Sequence, residues 1–196
     1  MSIDRVVLRR EFREIRRAIP AANRIAAAER LASQLSSLPF MPQRGHVAGY
    51  WALDGEIALH VWQLRLPDAL TYCLPVLHED GCLQFAPWRP GDPLVTNRYG
   101  IPEPDVAEDL LITPEAMSVV VLPLVAFDAR GQRLGMGAGW YDRSFAFRGK
   151  RKAPPFLVGA AFAAQQIDAL AVESWDVPLD AVCTELDTFL HSGRRE

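Results

Sequence analysis

A chain of 196 residues that is 49% apolar has the length of one domain and enough hydrophobic material for a sizeable core. Its 21 basic against 24 acidic side chains leave a net charge of −3, which argues against holding nucleic acid by bulk charge. Cys73, Cys82 and Cys183 are scattered without metal spacing, and neither an apolar leader nor a membrane-length apolar run is present, so reduced thiols, no membrane partner and a cytoplasmic protein are expected.

Residues 3–18 predict a helix, because Leu8, Phe12, Ile15 and Ile19 recur at i, i+4, i+7 and i+11. Arg5, Arg9, Arg10, Arg13, Arg16 and Arg17 fill its other faces beside Glu11 and Glu14, and most of these arginines read as a solvated surface. Pro20 ends this helix or opens the next, over residues 21–37, with Ile25, Leu31, Leu35 and Leu38 inward. Residues 47–53 predict the first strand, which runs into Trp51-Ala52-Leu53-Asp54-Gly55-Glu56. Ligands of open α/β sheets collect at the carboxyl ends of strands. Glu56 is therefore either a site carboxylate or a partner for the amino-terminal dipole of a helix over residues 57–64.

Residues 71–77 and 82–88 read as two strands of a hairpin turning at 78–81. The irregular stretch 89–105 carries prolines 90, 93, 102 and 104, and with Tyr99 and Glu103 on that stiffened backbone it reads as functional rather than as a plain crossover. Residues 119–125 form a continuous apolar run, the pattern of a central parallel strand. The basic loop 150–155 suggests no particular chemistry. A second central strand is expected at 156–162, a short helix at 163–170, and terminal strands at 180–185 and 188–191, with disorder confined to 192–196. Together these predict a single α/β domain over residues 1–196: three layers, α/β/α, a mostly parallel central sheet with a hairpin, and Arg-rich amino-terminal helices.

Between the first apolar run and a helix start lies Arg133-Leu134-Gly135-Met136-Gly137-Ala138-Gly139-Trp140-Tyr141-Asp142-Arg143. Alternating glycines let backbone N–H groups approach an anion, and a following helix adds its positive dipole end. The stretch is neither a Walker A loop nor a dinucleotide fingerprint, and a tight turn relieved by glycine is the plainer reading of such spacing. The bracketing Arg133, Asp142 and Arg143 favour phosphate, since arginine pairs with phosphate oxygens and aspartate can hold Mg²⁺. His46, His60, His78 and His191 sit in no nucleophile or metal pattern.

Residues 122–128 and 131–143, taken together, resemble the signature of the 5-formyltetrahydrofolate cyclo-ligase (5,10-methenyltetrahydrofolate synthetase) family. Support comes from Leu8-Arg9-Arg10 to Arg17, from Trp51 to Glu56, from Tyr99-Gly100-Ile101-Pro102-Glu103-Pro104 and from Asp180-Ala181-Val182. The resemblance implies an ATP- and Mg²⁺-dependent ligase of one-carbon metabolism that cyclises 5-formyltetrahydrofolate to 5,10-methenyltetrahydrofolate and releases ADP and phosphate. It implies that residues 133–141, with Arg5 and Arg9, hold ATP, and that Arg133, Tyr141 and Arg143 act in catalysis. It implies folate contacts at Trp51, Glu56, Tyr99, Glu103 and residues 136–140, and metal ligands at Asp142 and Asp180. Arg5 stands where the family commonly has lysine, and Ala138 where some members carry one, which shifts phosphate binding toward backbone N–H groups. The expected partner is a folate, with or without added glutamates, met by a monomer. Two other readings stand beside this one: a non-catalytic nucleotide or sugar-phosphate sensor, and an RNA-interacting protein using the first helix, which the net charge disfavours.

Overall fold

The Asp4 carboxylate accepts a hydrogen bond from the Val6 N–H and caps helix α1, Arg5–Ala18. Leu8 and Phe12 are buried as their spacing predicts, but Ile15 is exposed and the next residue, Arg16, is buried at 1% exposure. Pro20 opens α2, Ala21–Ser36, which buries the small-residue stripe Ala27, Ala28, Leu31, Ala32 and Leu35. Ile25, expected inward, is 66% exposed because the alanines form the packed face. The computed structural model describes residues 4–191; the expected disorder of 192–196 lies outside that range.

The chain continues through β1 (Gly45–Ala48), α3 (His60–Leu64), β2 (Leu70–Leu77), β3 (Leu83–Pro87), β4 (Leu94–Thr96), β5 (Pro102–Pro104) and β6 (Val119–Pro123). It ends through β7 (Ala126–Phe127), β8 (Arg133–Leu134), α4 (Trp140–Ser144), β9 (Phe156–Ala160), β10 (Ala181–Cys183) and β11 (Thr188–Leu190). A seven-stranded sheet has the order β11-β10-β9-β6-β1-β2-β3. Its five inner strands are parallel, and β3 and β11 run antiparallel at the two edges.

The apolar run of β6 follows from burial on both faces. Val119 and Val121 join Val47, Leu74 and Val158 under α2 and α3. Val120 and Leu122 point the other way, to Cys73, Phe85 and Phe145. That second face is covered by short α4, by 3-10 turns and by loops, so the two outer layers are unequal.

Several elements differ from expectation for local reasons. The first strand stops at Ala48: Gly49 lies under the Tyr72 ring, where a Cβ would come within 2.2 Å of the phenol oxygen. The helix expected at 163–170 is one 3-10 turn, Ala163–Gln165. The Gln165 side chain accepts from the Phe162 N–H and donates to the Leu124 and Val125 carbonyls, holding the chain in irregular shape. The stretch 89–105 folds into the hairpin β4–β5. The central strand does not feed the glycine stretch directly, because the hairpin β7–β8 intervenes.

Candidate active site

From β1 the chain builds the sheet outward through β2 and β3, then returns to lay β6 on the opposite side of β1. A crevice opens at the carboxyl ends of two such strands. Here it becomes a cavity of about 540 Å³, bounded by α1, the 50–56 turn, the glycine loop and hairpin β4–β5. That is the size of an ordinary small-molecule site.

On one side, three arginines of α1 converge on Asp54. Arg13 Nε donates to Asp54 Oδ2 at 2.7 Å, Arg16 reaches both its carboxylate and its carbonyl at about 3 Å, and Arg17 pairs with Oδ1. This clamp stabilises a left-handed Asp54, whose φ of 51° is unusual for a residue other than glycine. Burial would raise the Asp54 carboxyl, but hydrogen bonds from Arg13 and Arg17 and the nearby guanidinium charges bring it below the ordinary range. Next to it, burial raises the Glu56 carboxyl despite a hydrogen bond from the Leu53 N–H at 3.0 Å and the Arg16 charge 3.5 Å away. Glu56 bonds to the turn before it and stands ahead of α3, so it is a cavity carboxylate and not a cap of that helix.

Across the cavity runs the loop 135–139. Among the described residues, its backbone N–H groups find no acceptor. Gly137 and Gly139 take φ of 100° and 70°. A Cβ at Gly137 would come within 3.2 Å of the Arg9 guanidinium, which donates to the Gly135 carbonyl at 2.8 Å. Arg133, nearly buried, donates to the Val177 carbonyl and to Asp142 Oδ1, which also accepts from the Val177 N–H. Unpaired N–H groups on a glycine backbone, followed by a helix and flanked by guanidiniums, have the chemistry to accept phosphate oxygens.

The remaining wall is apolar. Trp140 and Tyr99 meet edge to face at 6.3 Å, and Trp51 meets Trp88 the same way at 5.6 Å. Tyr50 donates to the Ile57 carbonyl at 2.6 Å. Burial raises the Tyr141 hydroxyl far above its usual range, with the Glu56 charge adding to the effect.

The cavity therefore gathers Arg5, Arg9, Trp51, Glu56, Tyr99, Arg133, residues 135–141 and Asp142. Four expected site residues lie off it. Leu134 is buried in an apolar cluster with Leu8 and Val125. Glu103 turns its carboxylate to the Leu77 N–H and to Asn97, fastening β5 to the sheet. Arg143 donates to the Gly81 and Ala138 carbonyls and lies 5.0 Å from the Trp140 ring, bracing the loop from outside. Asp180 is bound by Arg148 and by the Leu157 N–H at the amino-terminal end of β9, whereas the cavity is at the strands' other end. Among the described residues no three metal-type side chains converge. Asp142 Oδ2 takes no hydrogen bond there, so a divalent ion that brings its own phosphate and water ligands fits beside it.

Sequence reasoning missed Arg13, Arg16, Asp54, Trp175 and Asp176, all of which line the cavity. The arginines carried a usable signal, since positions 5, 9, 13 and 16 fall on one helix face. Asp176, which pairs with Arg5 at 2.6 Å, carried none.

A sequence model of the 5-formyltetrahydrofolate cyclo-ligase family matches residues 2–185. The chain is 36% identical over 177 residues to the 5-formyltetrahydrofolate cyclo-ligase of Escherichia coli, covering 88% of this chain and 96% of that protein. It is 34% identical over 176 residues to the enzyme of the same name from Haemophilus influenzae, covering 88% and 92%. Its fold superposes with a TM-score of 0.81 on Aquifex aeolicus 5,10-methenyltetrahydrofolate synthetase, at 28% identity, covering 98% of this chain and 95% of that one.

Proposed function

The chain belongs to the 5-formyltetrahydrofolate cyclo-ligase family, and we propose how its own residues perform that family's reaction. It is an ATP-dependent ligase acting on a folate. The formamide oxygen of 5-formyltetrahydrofolate is a weak nucleophile and a poor leaving group. It attacks the γ-phosphorus, the bond to ADP breaks, and the oxygen becomes part of a phosphate ester. The neighbouring amine N10 then adds to the activated carbon. N10 gives up its proton, and phosphate departs with the former formyl oxygen, leaving the positively charged 5,10-methenyl ring.

The observation that carries this reading is the row of unpaired N–H groups at 135–139 beside Arg9 and Arg133, facing the same cavity as Glu56 and the aromatic wall. The loop and Arg9 bind the phosphates. Arg133, aimed by Asp142 and the Val177 carbonyl, neutralises charge on the group in transfer. Glu56 accepts from the N–H groups of the pterin, Trp51 packs on its ring, and Tyr99, Met136 and Trp140 cover the aminobenzoyl portion. Tyr141, kept protonated by its burial, offers a hydroxyl to the reacting centre. Arg143 acts through the loop it braces. Asp142 would hold Mg²⁺, which would supply neutralisation of the phosphate charge.

The test mixes protein, ATP, Mg²⁺ and 5-formyltetrahydrofolate and follows the methenyl-folate absorbance band. The expected result is a rise that needs ATP. Folded protein giving no ATP-dependent rise overturns the reading.

A further inference from the structure

The cavity's guanidiniums differ in what already neutralises them. Arg5 is paired with Asp176, Arg13 and Arg16 with Asp54, and Arg133 with Asp142. Among the described residues Arg9 is bonded to a carbonyl alone, and it belongs to the phosphate cradle. One more arginine stands at the rim, outside these networks. Arg98, on the turn of hairpin β4–β5, lies 5.3 Å from the Trp140 ring and 5.4 Å from the Tyr99 ring. Among the described residues it has neither a hydrogen bond nor an ion pair. Two aromatic rings thus hold a cation in place without neutralising its charge or occupying its N–H donors.

The reaction brings two anionic molecules to this cavity. ATP carries its charge on phosphates, and the glycine loop with Arg9 meets those. The folate carries its charge at the opposite end from the pterin, on the carboxylates of its glutamate. The rings that hold Arg98 are the wall assigned to the aminobenzoyl group, which directly precedes that glutamate. Resting on that reading of the cavity, we propose that Arg98 receives the glutamyl carboxylate and so sets preference for folates that carry one. The planar fork suits a carboxylate, and the rings fix its orientation before substrate arrives. Tyr99 and Trp140 then do two things at once: they pack against substrate and they position its counter-ion.

The test is a cycle of two enzymes and two substrates. Wild type and Arg98→Gln are each assayed with 5-formyltetrahydrofolate and with 5-formyltetrahydropteroate, the same molecule lacking glutamate. With the folate, Arg98→Gln is expected to raise KM roughly tenfold at unchanged kcat, the size of one charge-assisted hydrogen bond at a partly exposed site. With the pteroate, the two enzymes are expected to share one KM, itself close to that of the variant with folate. The KM for ATP is expected to stay constant. Arg98→Lys keeps the charge but loses the fork and should fall between. An equal KM increase on both substrates, a shift in the KM for ATP, or an unchanged KM for the folate overturns the assignment. Wild-type protein without ATP-dependent turnover overturns instead the reading on which it rests, so the two failures are distinguishable. Arg98 is exposed, and an unchanged melting temperature in both variants separates binding from folding.

Discussion

Arg13, Arg16 and Arg17 all commit their guanidiniums to Asp54, whereas Arg9 on the same helix gives one N–H to the Gly135 carbonyl and, among the described residues, pairs with no carboxylate. The two faces of the cavity are built on this difference. On the clamp side every charge is answered inside the protein, and the polar groups hold a strained turn. On the loop side N–H donors and a guanidinium are left open, and they are available to a ligand. Residue type does not separate the two roles; what each group already touches does.

The strongest way to break the contrast is Arg16→Ala. It leaves the buried Glu56 carboxylate without its cation and Asp54 with Arg13 and Arg17 only, and should cost about 3 kcal/mol in urea unfolding, with activity lost through misplacement of Glu56. Unchanged stability would move Arg16 to the ligand-binding side of the comparison.

Two glycines sharpen it next. Gly131 has φ of 82°, and a Cβ there would lie 2.6 Å from the His191 ring. Gly131→Ala should therefore lose about 2 kcal/mol, on the order of 5 °C in Tm, and keep its activity. Gly137→Val crowds Arg9 and the loop proposed to bind phosphate, so it should lower kcat/KM about a hundredfold or more with a smaller change in Tm. The reverse pattern would make loop 135–139 a structural turn.

Arg9→Ala should weaken binding of a non-hydrolysable ATP analogue about tenfold in calorimetric titration and leave folate binding alone. Equal weakening of both would place Arg9 with the clamp.

The smallest effect is in pH. The folded Asp54 carboxyl lies below its unfolded value, so its stabilising contribution is present above the unfolded value, near pH 4, and fades as pH falls through the folded one. The raised Glu56 carboxyl has the opposite sign: its contribution is full at low pH and is lost as pH rises through its folded value. Comparing wild type with Asp54→Asn isolates the first. Their difference in unfolding free energy should shrink steadily as pH is lowered below 4, and a constant difference would mean that Asp54 holds the turn by shape alone.

Much of this was legible in sequence where one segment decides its own environment. The run at 119–125 announced a strand covered on both faces, and β6 is one. The alternating glycines announced a backbone open to an anion, and loop 135–139 has that form. Legibility ended where a partner is remote. Arg16 looks like its exposed neighbours until Asp54, 38 residues away, is brought beside it. Glu103 and Asp180 have the chemistry of site carboxylates, yet nearby backbone N–H groups, Asn97 and Arg148 take their oxygens. Gln165 ends a helix that local propensity favours, through two carbonyls some 40 residues earlier in the chain.

The separation between α1 and its partners also orders events during synthesis. Arg9 is made 126 residues before Gly135, and Arg5 is made 171 residues before Asp176. At roughly 5–20 residues per second, Arg5 and Arg9 wait on the order of ten seconds or more for those segments. Through that interval those two arginines are open to any anion in reach, and a ribosome is rich in phosphate. The Arg5 contacts that close this end of the cavity cannot form until residues 171–176 have been made.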